Sequence, residues 1–197
     1  GLDGMDKVRG LLDTLPRLRA LAGKTVVVKY GGSALAGEDG VDSILQDIAA
    51  LHMAGVQVVV VHGGGKAITA LLERLGHQST FRDGYRVTDE ETMAAAEMVL
   101  SGQVNQDLVG QLRQLGVPAV GISGRSGMLF TAQVKDPAMG RVGSLSAADP
   151  ALLRHLLAGG FVPVVSPIAQ AEDGGALNVN ADDAALGVAC ALQAEKL

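Results

Sequence analysis

A single cysteine, Cys190, stands among the 197 residues. No disulfide can close within such a chain, and a reducing compartment fits it. No apolar run reaches the ~18 residues that a membrane-spanning helix needs. The first residues show no signal-peptide core. Basic residues are outnumbered: 16 Lys and Arg face 21 Asp and Glu, giving a net charge of −5 without a basic cluster. That balance argues against nucleic acid as a partner. No membrane partner is expected, and a cytoplasmic location is the default. The 27 glycines show no collagen-like period.

Apolar residues are plentiful at 48%, enough for a substantial core. Two glycine turns stand out, each closing a buried strand pattern. Thr25 to Lys29 reads TVVVK and runs into Tyr30-Gly31-Gly32-Ser33. Val56 to Val61 reads VQVVVV and runs into His62-Gly63-Gly64-Gly65-Lys66. A strand–glycine–helix joint gathers free backbone N–H groups at the positive end of a helix, which suits an anion. Two such joints point to a substrate carrying phosphate, carboxylate or both.

Helices are expected over 41–54, 67–75 and 181–193, from Asp89 onward, over 103–115 and over 149–158. Further strands are expected at 117–122 and 161–165. Residues 77–88 read as irregular, and 128–145 as a hairpin excursion. The alternation predicts an α/β fold, a three-layer α/β/α sandwich on a mainly parallel sheet. Residues 6–22 carry a helical stripe of Val8, Leu11, Leu12, Leu15, Leu18 and Leu21, which Pro16 should kink or divide. The expected organisation is an N-terminal helix within 1–23 followed by one lobe over 24–197.

Generic nucleotide motifs fail. A Walker A loop needs glycine where Val60 stands and a hydroxyl residue where Ala67 stands. A dinucleotide fingerprint needs glycine where Ile68 stands.

Six segments in order are more specific: KYGGS at 29–33, VHGGG at 61–65, GYRVTDEETM at 84–93, GQVN at 102–105, VGISGRSG at 120–127 and NVNAD at 178–182. Together they resemble the acetylglutamate kinases of the amino acid kinase family, from about residue 7 to the end. The resemblance implies phosphoryl transfer from ATP, with Mg2+, to the side-chain carboxylate of N-acetyl-L-glutamate, in arginine biosynthesis. Such a carboxylate is ionised at neutral pH, so it needs no general base. The difficulty is charge repulsion and alignment, which cations and N–H donors address.

By resemblance, Lys29 and Asp182 are catalytic, the aspartate organising the lysine. Gly31 and Gly32 bind phosphate, while Gly64, Gly65, Arg86 and Asn178 bind the amino-acid substrate. No protein metal ligands are assigned, since Mg2+ is expected to ride on the ATP phosphates. Plain structural alternatives stand beside each role. Lys29 could snorkel from a strand end, Arg86 could pair with Asp83, Asp89 or Glu90, Asn178 could serve a turn, and Asp182 could cap the last helix. For His62, orienting the loop outweighs a ligand role. Lys66, Ser126 and Tyr85 depart from the family pattern.

The N-terminal helix resembles that of arginine-inhibited members, implying L-arginine as a feedback inhibitor. It also implies a homo-oligomer, either a dimer or a hexamer built as a trimer of dimers. The ATP-binding lobe is expected to lie outside these residues, leaving the chain inactive alone. The competing readings are a non-catalytic acetylglutamate-binding or oligomerisation module, and a kinase for carrier-linked aminoadipate or glutamate. The acidic net charge weighs against the second.

Overall fold

The computed structural model describes residues 5, 13, 15–17, 19–31 and 42–196. Most of the expected N-terminal helix lies outside them, as do the oligomerising role given to it and Gly32.

Valine-rich runs build the centre. β1 (Thr25–Tyr30) and β2 (Gln57–His62) are almost wholly valine within, and branched side chains favour extended backbone. β5 (Ala119–Ser123), β8 (Val162–Ser166) and β11 (Glu195–Lys196) complete a parallel sheet in the order β11-β1-β2-β8-β5. Alternate residues serve opposite cores. Val26, Val28, Val58 and Val60 pack with α1 (Ser43–Met53) and α4 (Asn105–Gln114). Val27, Val59 and Val61 face the other side, with α5 (Ala151–Ala158) and α6 (Ala181–Leu192). Burial on both faces explains why these strands lack polar alternation. The α/β layers are those expected.

The second core also covers a closed ring of four short strands: β6 (Phe130–Val134), β7 (Val142–Ala148), β9 (Ile168–Gln170) and β10 (Ala176–Val179). The hairpin excursion is therefore half of a small barrel. The stretch read as irregular contains a hairpin, β3 (Phe81–Arg82) with β4 (Tyr85–Arg86), turning at Gly84.

The other difference lies in the helices. α2 (Gly65–Arg74) follows β2, and α3 (Glu90–Glu97) is capped by Asp89 as expected, its carboxylate accepting from Thr92 N at 2.7 Å. α3 does not end before 103. It continues through a π-helical segment, Met98–Val104, directly into α4. Among the described residues no helix is long and apolar enough to cross a membrane.

Candidate active site

β1 and β2 run parallel in register, Lys29 beside Val61 and Tyr30 beside His62. Their carboxyl ends, where α/β sheets present ligand sites, deliver both glycine turns to one edge. The turns touch: Gly63 N–H donates to the Tyr30 carbonyl at 2.9 Å. A Cβ on Gly31 would lie 3.2 Å from Gly63 N, so a side chain there would push the turns apart. Tyr30 is tied in turn to Asp42, the α1 cap, by a hydroxyl–carboxylate hydrogen bond.

Gly64 is the N-cap residue of α2, and no side chain caps that helix. Its first N–H groups are therefore left for solvent or a ligand. Behind the turn stands the π segment. A Cβ on Gly64 would fall 2.8 Å from Leu100 Cδ2 and 3.2 Å from Val104 Cγ2.

Lys29 and Asp182 meet at this edge. Lys29 Nζ lies 3.7 Å from Asp182 Oδ1, with the side chains 29% and 63% exposed. Asp182 does not cap α6. Asn180 does, its Oδ1 accepting from Asp182 N at 2.9 Å and Asp183 N at 3.1 Å. The Asp182 carboxylate thus remains beside the lysine.

Arg86 is 6% exposed. Its guanidinium donates to Thr69 Oγ1 at 2.7 Å and to Ser79 Oγ, and lies over the Phe81 ring at 4.8 Å. Burial lowers its pKa from the ordinary arginine value, because water no longer solvates the charge. A guanidinium fork of this kind suits a carboxylate, which it can grip through two charge-assisted hydrogen bonds. Asn178, on β10 between β7 and β9, is half-buried. Arg86 and Asn178 line one cavity of about 190 Å³ with Ile68, Tyr85 and Asn180. Lys135 closes over Tyr85 there, Nζ donating to Oη at 2.8 Å.

A separate cavity of about 380 Å³ carries Arg125 and Arg141. Arg125 pairs with Glu97 at 3.0 Å and Arg141 with Asp173 at 2.8 Å. Arg141 holds the Asp173 carboxyl below its usual range.

Sequence reasoning missed the supports of Arg86. Thr69 and Ser79 are ordinary hydroxyl residues outside any recognisable motif, and only the fold brings them to the guanidinium. Asn105 did stand within GQVN, but without an assigned task. It proves fully buried beside His62.

Fold and sequence together define the class. The sequence profile of the amino acid kinase family matches residues 24–197, and the chain belongs to that family. Relatives similar along its whole length include acetylglutamate kinases. That of Synechococcus sp. (strain CC9311) is 47% identical across all of this chain and 69% of its own length. That of Desulfitobacterium hafniense is 42% identical over 98% of this chain and, again, 69% of its own. Among solved structures, N-acetylglutamate synthase from Neisseria gonorrhoeae, complexed with coenzyme A and N-acetyl-glutamate, aligns with a TM-score of 0.77 at 30% identity. That alignment covers 96% of this chain and 44% of the synthase.

Proposed function

We propose that the chain carries the acceptor site of an acetylglutamate kinase, which transfers the γ-phosphoryl of ATP to the side-chain carboxylate of N-acetyl-L-glutamate. What supports this reading is that buried Arg86 and the Asn178 amide line one cavity with Ile68 of α2 and Asn180, the cap of α6, while the two glycine turns abut and Lys29 lies beside Asp182. Arg86 and Asn178 grip the α-carboxylate and acetamido end. Asn178 can donate to a carboxylate and accept from the acetamido N–H. The side-chain carboxylate then lies toward Gly64 and Gly65. A carboxylate oxygen attacks the γ-phosphorus, the bond to the β–γ bridging oxygen breaks, and ADP leaves.

Lys29 and the Gly31–Gly32 turn meet the transferring phosphoryl group, stabilising charge that grows as the phosphate transfers. Asp182 keeps Lys29 aimed. Bound Mg2+ would be held by the ATP phosphates rather than by a protein ligand set, and would screen their charge. The acceptor is already ionised, so a site without a general base suffices.

Feedback by L-arginine, assembly through residues 1–23 and a cytoplasmic location belong to the same proposal, supported by the family resemblance. Calorimetry with N-acetyl-L-glutamate and L-glutamate tests the reading. Binding of the acetylated acid in clear preference to glutamate is expected, and no heat with either contradicts it.

A further inference from the structure

His62 and Asn105 form a buried pair that the substrate contacts above do not use. They are 0% and 1% exposed. His62 Nδ1 lies 2.8 Å from the Gly63 carbonyl oxygen, and Nε2 lies 3.0 Å from Asn105 Nδ2. That amide nitrogen also faces the carbonyls of Val164 at 3.0 Å and Ile122 at 3.4 Å. Carbonyl oxygens only accept, so the Asn105 atom is the donor, and His62 Nε2 must accept from it. The ring proton therefore sits on Nδ1 and is given to the Gly63 carbonyl.

The Gly63–Gly64 peptide bond is trans. In a trans peptide the C=O and the following N–H point in opposite directions. We propose that His62 is a positioning residue: its Nδ1–H, oriented by Asn105, pins the Gly63 carbonyl inward and so turns the Gly64 N–H outward, toward the anionic substrate.

The π segment gains a purpose from this. It carries α3 into α4 so that Asn105, the first residue after the π turns, meets His62, while Leu100 and Val104 press on Gly64. π turns inside α-helices recur at functional sites. Burial lowers the His62 pKa, with the Gly63 carbonyl partly opposing, which keeps the ring neutral in this role.

The ligand in this inference rests on the acetylglutamate reading, and the two are separable by experiment. Proton–nitrogen NMR of the imidazole in the ligand-free chain should show the proton on Nδ1. A proton on Nε2 would overturn the pin whatever the ligand. Calorimetry with N-acetyl-L-glutamate then compares wild type with His62→Asn and His62→Gln, alongside their thermal midpoints. An asparagine amide reaches the Nδ1 position, whereas glutamine reaches only Nε2. His62→Gln should bind about tenfold more weakly, the loss of one well-aimed hydrogen bond to a charged group, while His62→Asn stays within about threefold. Equal affinities at matched midpoints would overturn the proposal. An Nδ1–H ring in a wild-type chain that binds no acetylglutamate supports the pin and contradicts the ligand.

Discussion

Arg86→Ala removes a guanidinium that is 6% exposed and held by Thr69, Ser79 and the Phe81 ring. Two effects should separate. A forked guanidinium–carboxylate contact supplies two charge-assisted hydrogen bonds, each worth about 1.5–3 kcal/mol. Taking the lower figure for both gives a loss of about 3 kcal/mol, or roughly 150-fold in Kd. Stability should change far less. Truncation strips partners from two hydroxyls, yet it also removes the cost of burying a charge, so a net change of about 1–2 kcal/mol is expected. Arg86→Lys keeps the charge and loses the fork, so its Kd should rise by roughly tenfold. Titration calorimetry with N-acetyl-L-glutamate reads the affinities, and denaturant melts read the stability. An alanine variant that folds and binds within about threefold of wild type would refute the carboxylate assignment.

Other perturbations should resolve neighbouring roles. Asn180→Ala should cost about 1 kcal/mol of stability in a urea melt, as loss of an N-cap does. Asp182→Ala should leave stability within about 1 kcal/mol, because the carboxylate itself is exposed, yet weaken turnover in the intact kinase; equal turnover would dismiss the Lys29 pairing. Gly64→Ala drives a Cβ into Leu100 and Val104, and acetylglutamate affinity should fall along with an overpacking loss of about 1–3 kcal/mol. The lowered pKa of His62 makes stability pH-dependent. Above pH ~6.5 the ring is neutral both folded and unfolded. Below it only the unfolded chain takes the proton, so stability falls by up to ~1.4 kcal/mol per pH unit until the folded ring's own pKa is reached. His62→Asn should flatten the stability profile between about pH 7 and 5, and an unchanged slope would exclude His62 as its source.

Much of the fold was legible because its signals are local. The valine runs marked β1 and β2, and glycines after each strand marked the turns. Asp89 read as a cap and is one. What escaped notice depends on contacts made at a distance. A π segment keeps an apolar, helix-like spacing through Met98–Val104, so nothing in that pattern distinguishes one long helix from two. The β3–β4 hairpin has two residues per strand, and β9 has three, too few for an alternation to register. The barrel follows from which strands close on one another, since the single Thr131–Gln170 pairing completes the ring. In the site, Lys29, Arg86 and Asn178 stood inside recognisable segments. Thr69 and Ser79 did not, because a hydroxyl supporting a buried guanidinium has no sequence signature of its own.

Proximity of the two turns has a mechanical consequence. The Gly63 N–H to Tyr30 carbonyl bond and the close approach at Gly31 make one unit of them. Under the proposed assignment, donors to the acceptor carboxylate and donors to the phosphate would thereby be held close together, the alignment that phosphoryl transfer requires.

A crystal structure of the chain grown with N-acetyl-L-glutamate tests this arrangement most directly. The α-carboxylate should lie between Arg86 and Asn178, with the side-chain carboxylate at the Gly64 N–H on the Lys29 side. Density for the ligand in the cavity of Arg125 and Arg141, with the Arg86 cavity holding only water, would contradict it.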